Sequence, residues 1–207
     1  MDGSRRKKRM AKVIHVDKMP EPENFDQKVR QSGLRWMKEQ NIDPNAPLTA
    51  GTKLEDYWRH CKEDIYSLYK GCCAYLGVKL NRIQNFTIDH YKPKSKYPVL
   101  AYEWDNYRLC SPKINSIKGN KEDILDPFKI ETGWFYYNFL DGSVFANPSM
   151  PDTIKVQVEN TIELLKLNND IFCEHRCACW DNHKNHPDKL YNEAPFIYFE
   201  AKRQHIL

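Results

Sequence analysis

The chain has 207 residues, close to the length of one domain, and carries 32 Lys and Arg against 28 Asp and Glu, a net charge of +4. A mean hydropathy of −0.77 with 29% charged residues excludes a membrane-spanning chain, because no stretch approaches the ~20 apolar residues that cross a bilayer. No repeating period is visible, which excludes collagen, coiled-coil and solenoid arrays; nine Phe, five Trp and twelve Tyr supply enough large rings for a sizeable core.

Residues 1–20 read as a solvated tail or, in a functional reading, a basic arm that tracks phosphates, because Arg5, Arg6, Lys7, Lys8 and Arg9 are consecutive like charges. Residues 25–41 carry Phe25, Val29, Leu34, Trp36 and Met37, a short helix expected to be interrupted at Gly33. A loop punctuated by Pro44, Pro47 and Gly51 follows. Leu54, Trp58, Cys61, Ile65 and Leu68 recur at helical steps, so the clearest helix is expected over 54–69, with Thr52 and Glu55 at capping-box spacing. Phe86-Thr87-Ile88 is β-prone and ends in Asp89-His90. Leu100–Trp104 and Tyr107–Leu109 form a second β-prone stretch, and a helix beginning at Ile114 should stop at Gly119. Residues 134–146 predict a hairpin turning at Asp141-Gly142. Residues 152–168 predict a helix with Ile154, Val158, Ile162 and Leu165 inward, and the last 35 residues read as aromatic and irregular. Cysteine is odd in number, at 61, 72, 73, 110, 173, 177 and 179. With no secretory signal in view, reduced thiols and a cytoplasmic location are expected.

Asp89-His90 is followed by Lys92, Lys94 and Lys96 on a polar loop, by Asn106 and then by Asn115-x-x-Lys118-Gly119. This string resembles the HNH endonucleases, whose core is the ββα-metal fold, and especially the HNH nuclease subunits of bacterial anti-phage systems of the Septu or Zorya type. The resemblance covers roughly residues 53–176, with the motif confined to 87–119. It implies an α+β domain over 21–207 with its motif core at 71–120, a helical N-terminal region and a hairpin-plus-helix C-terminal extension. It also implies a magnesium- or manganese-dependent DNA endonuclease, a nickase or DNA-degrading effector, with DNA and another subunit of a defence complex as partners and no membrane. By the same resemblance Asp89 is a metal-binding acid, His90 the general base, Asn106 the brace of the loop between the strands, Asn115 the second metal ligand, and Lys118 a cation near the phosphate.

The chemistry needs those residue types. A neutral imidazole takes a proton from attacking water, and a divalent ion beside the leaving 3′ oxygen stabilises its charge. A carboxylate and an amide oxygen are hard ligands, suited to Mg²⁺ or Mn²⁺ over Zn²⁺. Adjacent strand residues point to opposite faces, so Asp89 and His90 reach one phosphate only if the loop bends. The two CxxC pairs that hold structural zinc in many HNH proteins are missing: Leu76 and Ile114 stand where Cys would be, and Cys110 is one residue off. Cys173, His175, Cys177, Cys179, His183 and His186 have zinc-compatible side chains at a spacing that matches no zinc motif, and buried unliganded Cys is the plainer reading.

Residues 90–121 hold seven basic residues against Glu103 and Asp105. Lys92, Lys94, Lys96, Arg108, Lys113 and Lys121 are therefore expected on a backbone-reading nucleic-acid surface. Tyr91, Tyr97, Tyr102, Trp104 and Tyr107 stack on bases or, more commonly at such density, fill a core. The rival to the enzyme is a non-catalytic DNA-binding or scaffold subunit that keeps the fold.

Overall fold

The computed structural model describes residues 17–80 and 86–207. The basic run at 5–9 lies outside them. Among the described residues, β1 (Thr87–His90) pairs antiparallel with β2 (Tyr107–Cys110), and α3 (Pro112–Lys118) follows directly. Before them come α1 (Ser32–Glu39) and α2 (Lys62–Leu68). After them come a second antiparallel pair, β3 (Phe135–Tyr137) with β4 (Val144–Ala146), and four helices, α4 (Asp152–Leu164), α5 (Asp170–His183), α6 (Pro187–Glu193) and α7 (Pro195–Arg203). The class is α+β: helices and two small separate sheets. One buried apolar cluster runs from Phe25 to Ile197 and includes Ile88, Leu109, Ile114 and Val158. No described helix is long and apolar enough to cross a membrane.

Local chemistry explains several boundaries. Ser111 accepts a hydrogen bond from the Ile114 amide at 3.2 Å and caps α3, Pro112 opens it, and Gly119 ends it at φ +48°. On α4, Val158 and the following Leu165 are buried, with Ile154 and Ile162 packed against the core. The β3–β4 connection has six residues rather than a two-residue turn. Asn138 accepts from the Leu140 amide and Asp141 from the Ser143 amide, while Gly142 takes φ +74°.

Three expectations are corrected. Gly33 does not interrupt its helix. The chain passes from a π-type turn at Asp26–Gln31 straight into α1, and Gly33 is where the helix meets Tyr102. A Cβ there would stand 2.2 Å from the Tyr102 ring. The expected long helix at 54–69 is shorter and broken: residues 54–56 are irregular, Tyr57–Cys61 is a 3₁₀ turn, and only α2 is α-helical. No capping box forms, since Thr52 Oγ1 bonds Thr49 Oγ1 and the Thr52 amide donates to the Thr49 carbonyl at 3.1 Å. The last 35 residues are mainly helical. In α5 only Phe172 and Arg176 are buried, so the segment lacks the apolar stripe that marks a helix in sequence. Near the N-terminal edge of the described chain, Lys18 pairs with Asp105 at 2.6 Å, and the Met19 carbonyl accepts from Trp104 Nε1 at 2.9 Å.

Candidate active-site cleft

The β1–β2 register sets Asp89 opposite Arg108 and His90 opposite Tyr107. The pleat sends the two motif side chains to different faces. Asp89 turns toward Tyr75 and α3. Its Oδ2 accepts from the Tyr75 hydroxyl at 2.5 Å, and its Oδ1 lies 3.0 Å from Lys118 Nζ. His90 turns toward aromatic rings, making T-shaped contacts with Trp58 at 4.8 Å between centroids and with Tyr107 at 5.1 Å. Its Nε2 lies 2.9 Å from the Ala101 carbonyl. A carbonyl only accepts, so Nε2 carries the proton, and Nδ1 keeps the ring's free lone pair.

Both residues nevertheless border one cleft of about 630 Å³, together with Asn115 and Lys94. The bend that allows this is tied by Asn106. Its Oδ1 accepts from the Lys92 amide at 2.7 Å, and its Nδ2 donates to the carbonyls of Lys92 and Leu100, each at 3.0 Å. The loop between the strands is thus held at both ends by one buried amide.

Burial sets the electrostatics. It pushes the His90 pKa down to about 3, with the positive charges of Lys94 and Lys118 adding to the effect, so the ring is neutral at physiological pH. Burial pushes the Asp89 carboxyl up, while Lys118 and the Tyr75 hydrogen bond oppose that rise. Tyr75 is itself pushed up by burial and by Asp89.

The expected basic residues separate into four groups. Lys118 has no exposed surface: it pairs with Asp89 and donates to the His90 carbonyl at 2.8 Å. It therefore lies beneath the cleft rather than in it. Arg108, expected on a nucleic-acid surface, is buried, bonds Asp126 at 2.7 Å and lies 3.5 Å over the Phe128 ring. Lys92 and Lys96 both reach Glu122, at 3.6 and 2.5 Å. Lys94, Lys113 and Lys121 have no ion pair among the described residues, and of these only Lys94 borders the cleft. Tyr102, Trp104 and Tyr107 are core residues, Tyr91 is half-buried, and Tyr97 is exposed.

Sequence reasoning missed the second wall of the cleft, made by Asp56, Trp58, Arg59 and Lys62. The helical periodicity around Trp58 marked it as core, and it is buried; nothing local showed that it would meet His90.

The donor set fits a hard divalent cation. Each carboxylate oxygen of Asp89 keeps a second lone pair beside its internal partner. The Asn115 side-chain amide is half-buried on the same cleft and makes no hydrogen bond within the described chain. Elsewhere, Cys73, Leu76, Cys110 and Ile114 are all buried in the apolar cluster. Cys173, His175, Cys177, Cys179 and His183 lie along α5, with His186 at the start of α6. Among the described residues no three or more His, Cys, Asp or Glu side chains are grouped to hold a metal ion. Compared with known proteins, the chain matches no family model and no curated protein.

Proposed function

We propose that this chain is an HNH-type endonuclease with a ββα-metal core, cutting DNA phosphodiester bonds with the help of one divalent cation, Mg²⁺ or Mn²⁺. The observation that carries the reading is the tautomer of His90. Its Nε2–H is spent on the Ala101 carbonyl, so a neutral imidazole keeps its Nδ1 lone pair in a cleft shared with Asp89 and the unbonded amide of Asn115. The order β1, β2, α3 and the motif spacing support the same reading.

Each side chain then has a distinct task. His90 accepts the proton of the attacking water at Nδ1. A phosphodiester arriving in the cleft adds negative charge beside the ring, which raises its proton affinity from the low value set by burial. Asp89 and Asn115 would hold the cation, which supplies charge stabilisation at the leaving oxygen. Asn106 keeps the loop closed so that His90 and Asp89 border one space. Lys118 neutralises Asp89 from below and pins the end of β1 through the His90 carbonyl. A role in anti-phage defence beside a partner subunit follows from the sequence resemblance alone.

One observation favours a second reading, a DNA-binding subunit without catalysis: both Asp89 oxygens already have internal partners. Incubation of closed-circular plasmid in Mg²⁺ and in EDTA, beside a His90→Ala variant, separates the two. Open-circle product that depends on both Mg²⁺ and His90 is expected. Equal product from the variant would remove His90 from the mechanism, and no product under any metal would favour the binding subunit.

A further inference from the structure

Three lysines alternate along the loop after β1, and they do not share a fate. Lys92 and Lys96 turn to one side and converge on Glu122. Lys94 turns the other way and lies over the face of Trp58, with its ammonium 3.9 Å from the ring centroid. It is half-buried, and no carboxylate lies within ion-pair distance of it among the described residues. A partly desolvated ammonium held by a ring rather than an anion is costly in the free protein. Its pKa is pushed down by that burial, with Asp56 and Asp89 restraining the fall. An anion bound in the cleft would relieve the cost.

Trp58 serves two groups at once. Its ring stands perpendicular to His90 at 4.8 Å between centroids, and one face carries Lys94. The indole is itself buried and stacked on Tyr102 at 6.0 Å, so it is a rigid mount. The imidazole and the ammonium thus share one support and border the same cleft.

We propose that Lys94 is a catalytic residue whose ammonium, mounted on Trp58, meets the non-bridging oxygens of the scissile phosphodiester, and that Trp58 is the positioning residue for both Lys94 and His90. The inference rests on the nuclease reading and gives it a specific phosphate-binding group. In the step concerned, the water oxygen bonds to phosphorus as its proton passes to His90 Nδ1. The bond from phosphorus to the 3′ oxygen breaks, its electron pair stays on that oxygen, and solvent returns a proton to it. Negative charge gathers on the non-bridging oxygens between these events. Lys94 offsets that charge and transfers nothing, which is why its contribution belongs to the transition state more than to binding.

The test uses the full chain and plasmid nicking in Mg²⁺, with duplex-oligonucleotide binding in EDTA as a metal-free readout. Lys94→Met keeps the stem on Trp58 and removes the charge. It should lower kcat by about 100-fold with KM changed only a few-fold, and reduce the salt slope of metal-free binding by about one counterion. Lys94→Arg should recover a tenth or more of the lost rate. Trp58→Phe should lower kcat by about tenfold, and the Trp58→Phe/Lys94→Met double variant should lose less than the product of the two single losses, because only the part of the Trp58 effect that runs through His90 remains. Lys155→Ala, on the remote α4, serves as the unchanged control, and thermal midpoints verify that every variant folds. Lys94→Met nicking within twofold of the parent, in a preparation where His90→Ala is inactive, would overturn this inference and leave the nuclease reading standing. Equal rates for Lys94→Met and Lys94→Arg would overturn the charge role. A parent protein that never nicks would overturn the nuclease reading and this inference with it.

Discussion

The two hairpins invite comparison, because each is a short antiparallel pair with buried charged groups beside it. At β3–β4 those charges end on backbone. Arg176 donates to the carbonyls of Gly142 and Leu167, each at 2.6 Å, and Glu200 accepts from the Tyr137 amide at 3.1 Å while pairing with Arg203. At β1–β2, Asp89 and Lys118 face each other, His90 spends one nitrogen on a carbonyl, and Lys94 meets only an aromatic face. The first arrangement gives each of its buried charges a partner. The second leaves a lone pair and an ammonium beside an open cleft. Buried charge alone therefore does not separate the two hairpins; what separates them is the unshared lone pair of His90 and the half-buried ammonium of Lys94, both beside the cleft.

Substitutions can break or sharpen this contrast. The largest effect is expected from His90→Ala, which should reduce plasmid nicking by at least about 100-fold while oligonucleotide affinity in EDTA stays within a few-fold, since in the proposed mechanism the ring handles a proton and not a phosphate charge. Next is Lys118→Met. Removing one partner strands a buried carboxylate, so urea unfolding should show a loss of about 3–5 kcal/mol. A loss below about 1 kcal/mol would show that the pair is not the buried support described above. At the other hairpin, Arg176→Leu leaves two carbonyls unpaired and should cost about 1–3 kcal/mol with nicking unaltered at temperatures where the variant is folded. A selective loss of nicking there would dissolve the contrast between the hairpins.

The smallest effect concerns the loop lysines. Glu122 holds Lys92 and Lys96 on the surface. Glu122→Gln should free both, tightening oligonucleotide binding at low salt by about two- to threefold and steepening the salt dependence. Unchanged binding would mean that those two lysines lie off the path of the nucleic acid.

Some of this molecule is written locally. The β-prone run ending in Asp89-His90, the Tyr107–Leu109 part of the second run, the stop at Gly119 and the apolar face of α4 all depend on residues a few positions apart, and each is found where local chemistry puts it; Leu100–Trp104, also expected to be β, instead begins and ends in 3₁₀ turns, and Asp141-Gly142 lies in a six-residue connection. The resemblance to HNH endonucleases also grouped His90, Asp89, Asn106 and Asn115 as one constellation. Local pattern failed where packing overrode it. The hydroxyl and amide of Thr52 were both taken by Thr49, and α5 could form without an apolar stripe because it lies on the β3–β4 connection through Arg176, against Gly142.

The sequence by itself determined the strand–strand–helix order, the motif residues and a basic surplus around them. Only the tertiary structure decided what each charge does. From one run of basic residues it buried Arg108 against Asp126, hid Lys118 beneath Asp89, and drew Lys92 and Lys96 to Glu122. It alone brought Trp58, more than thirty positions before His90 in the chain, against that ring and under Lys94. The physical reason is range. Turn, cap and strand preferences are settled by neighbours along the chain, whereas the fate of a charge depends on which opposite charge, ring or open space the fold brings within a few ångströms of it.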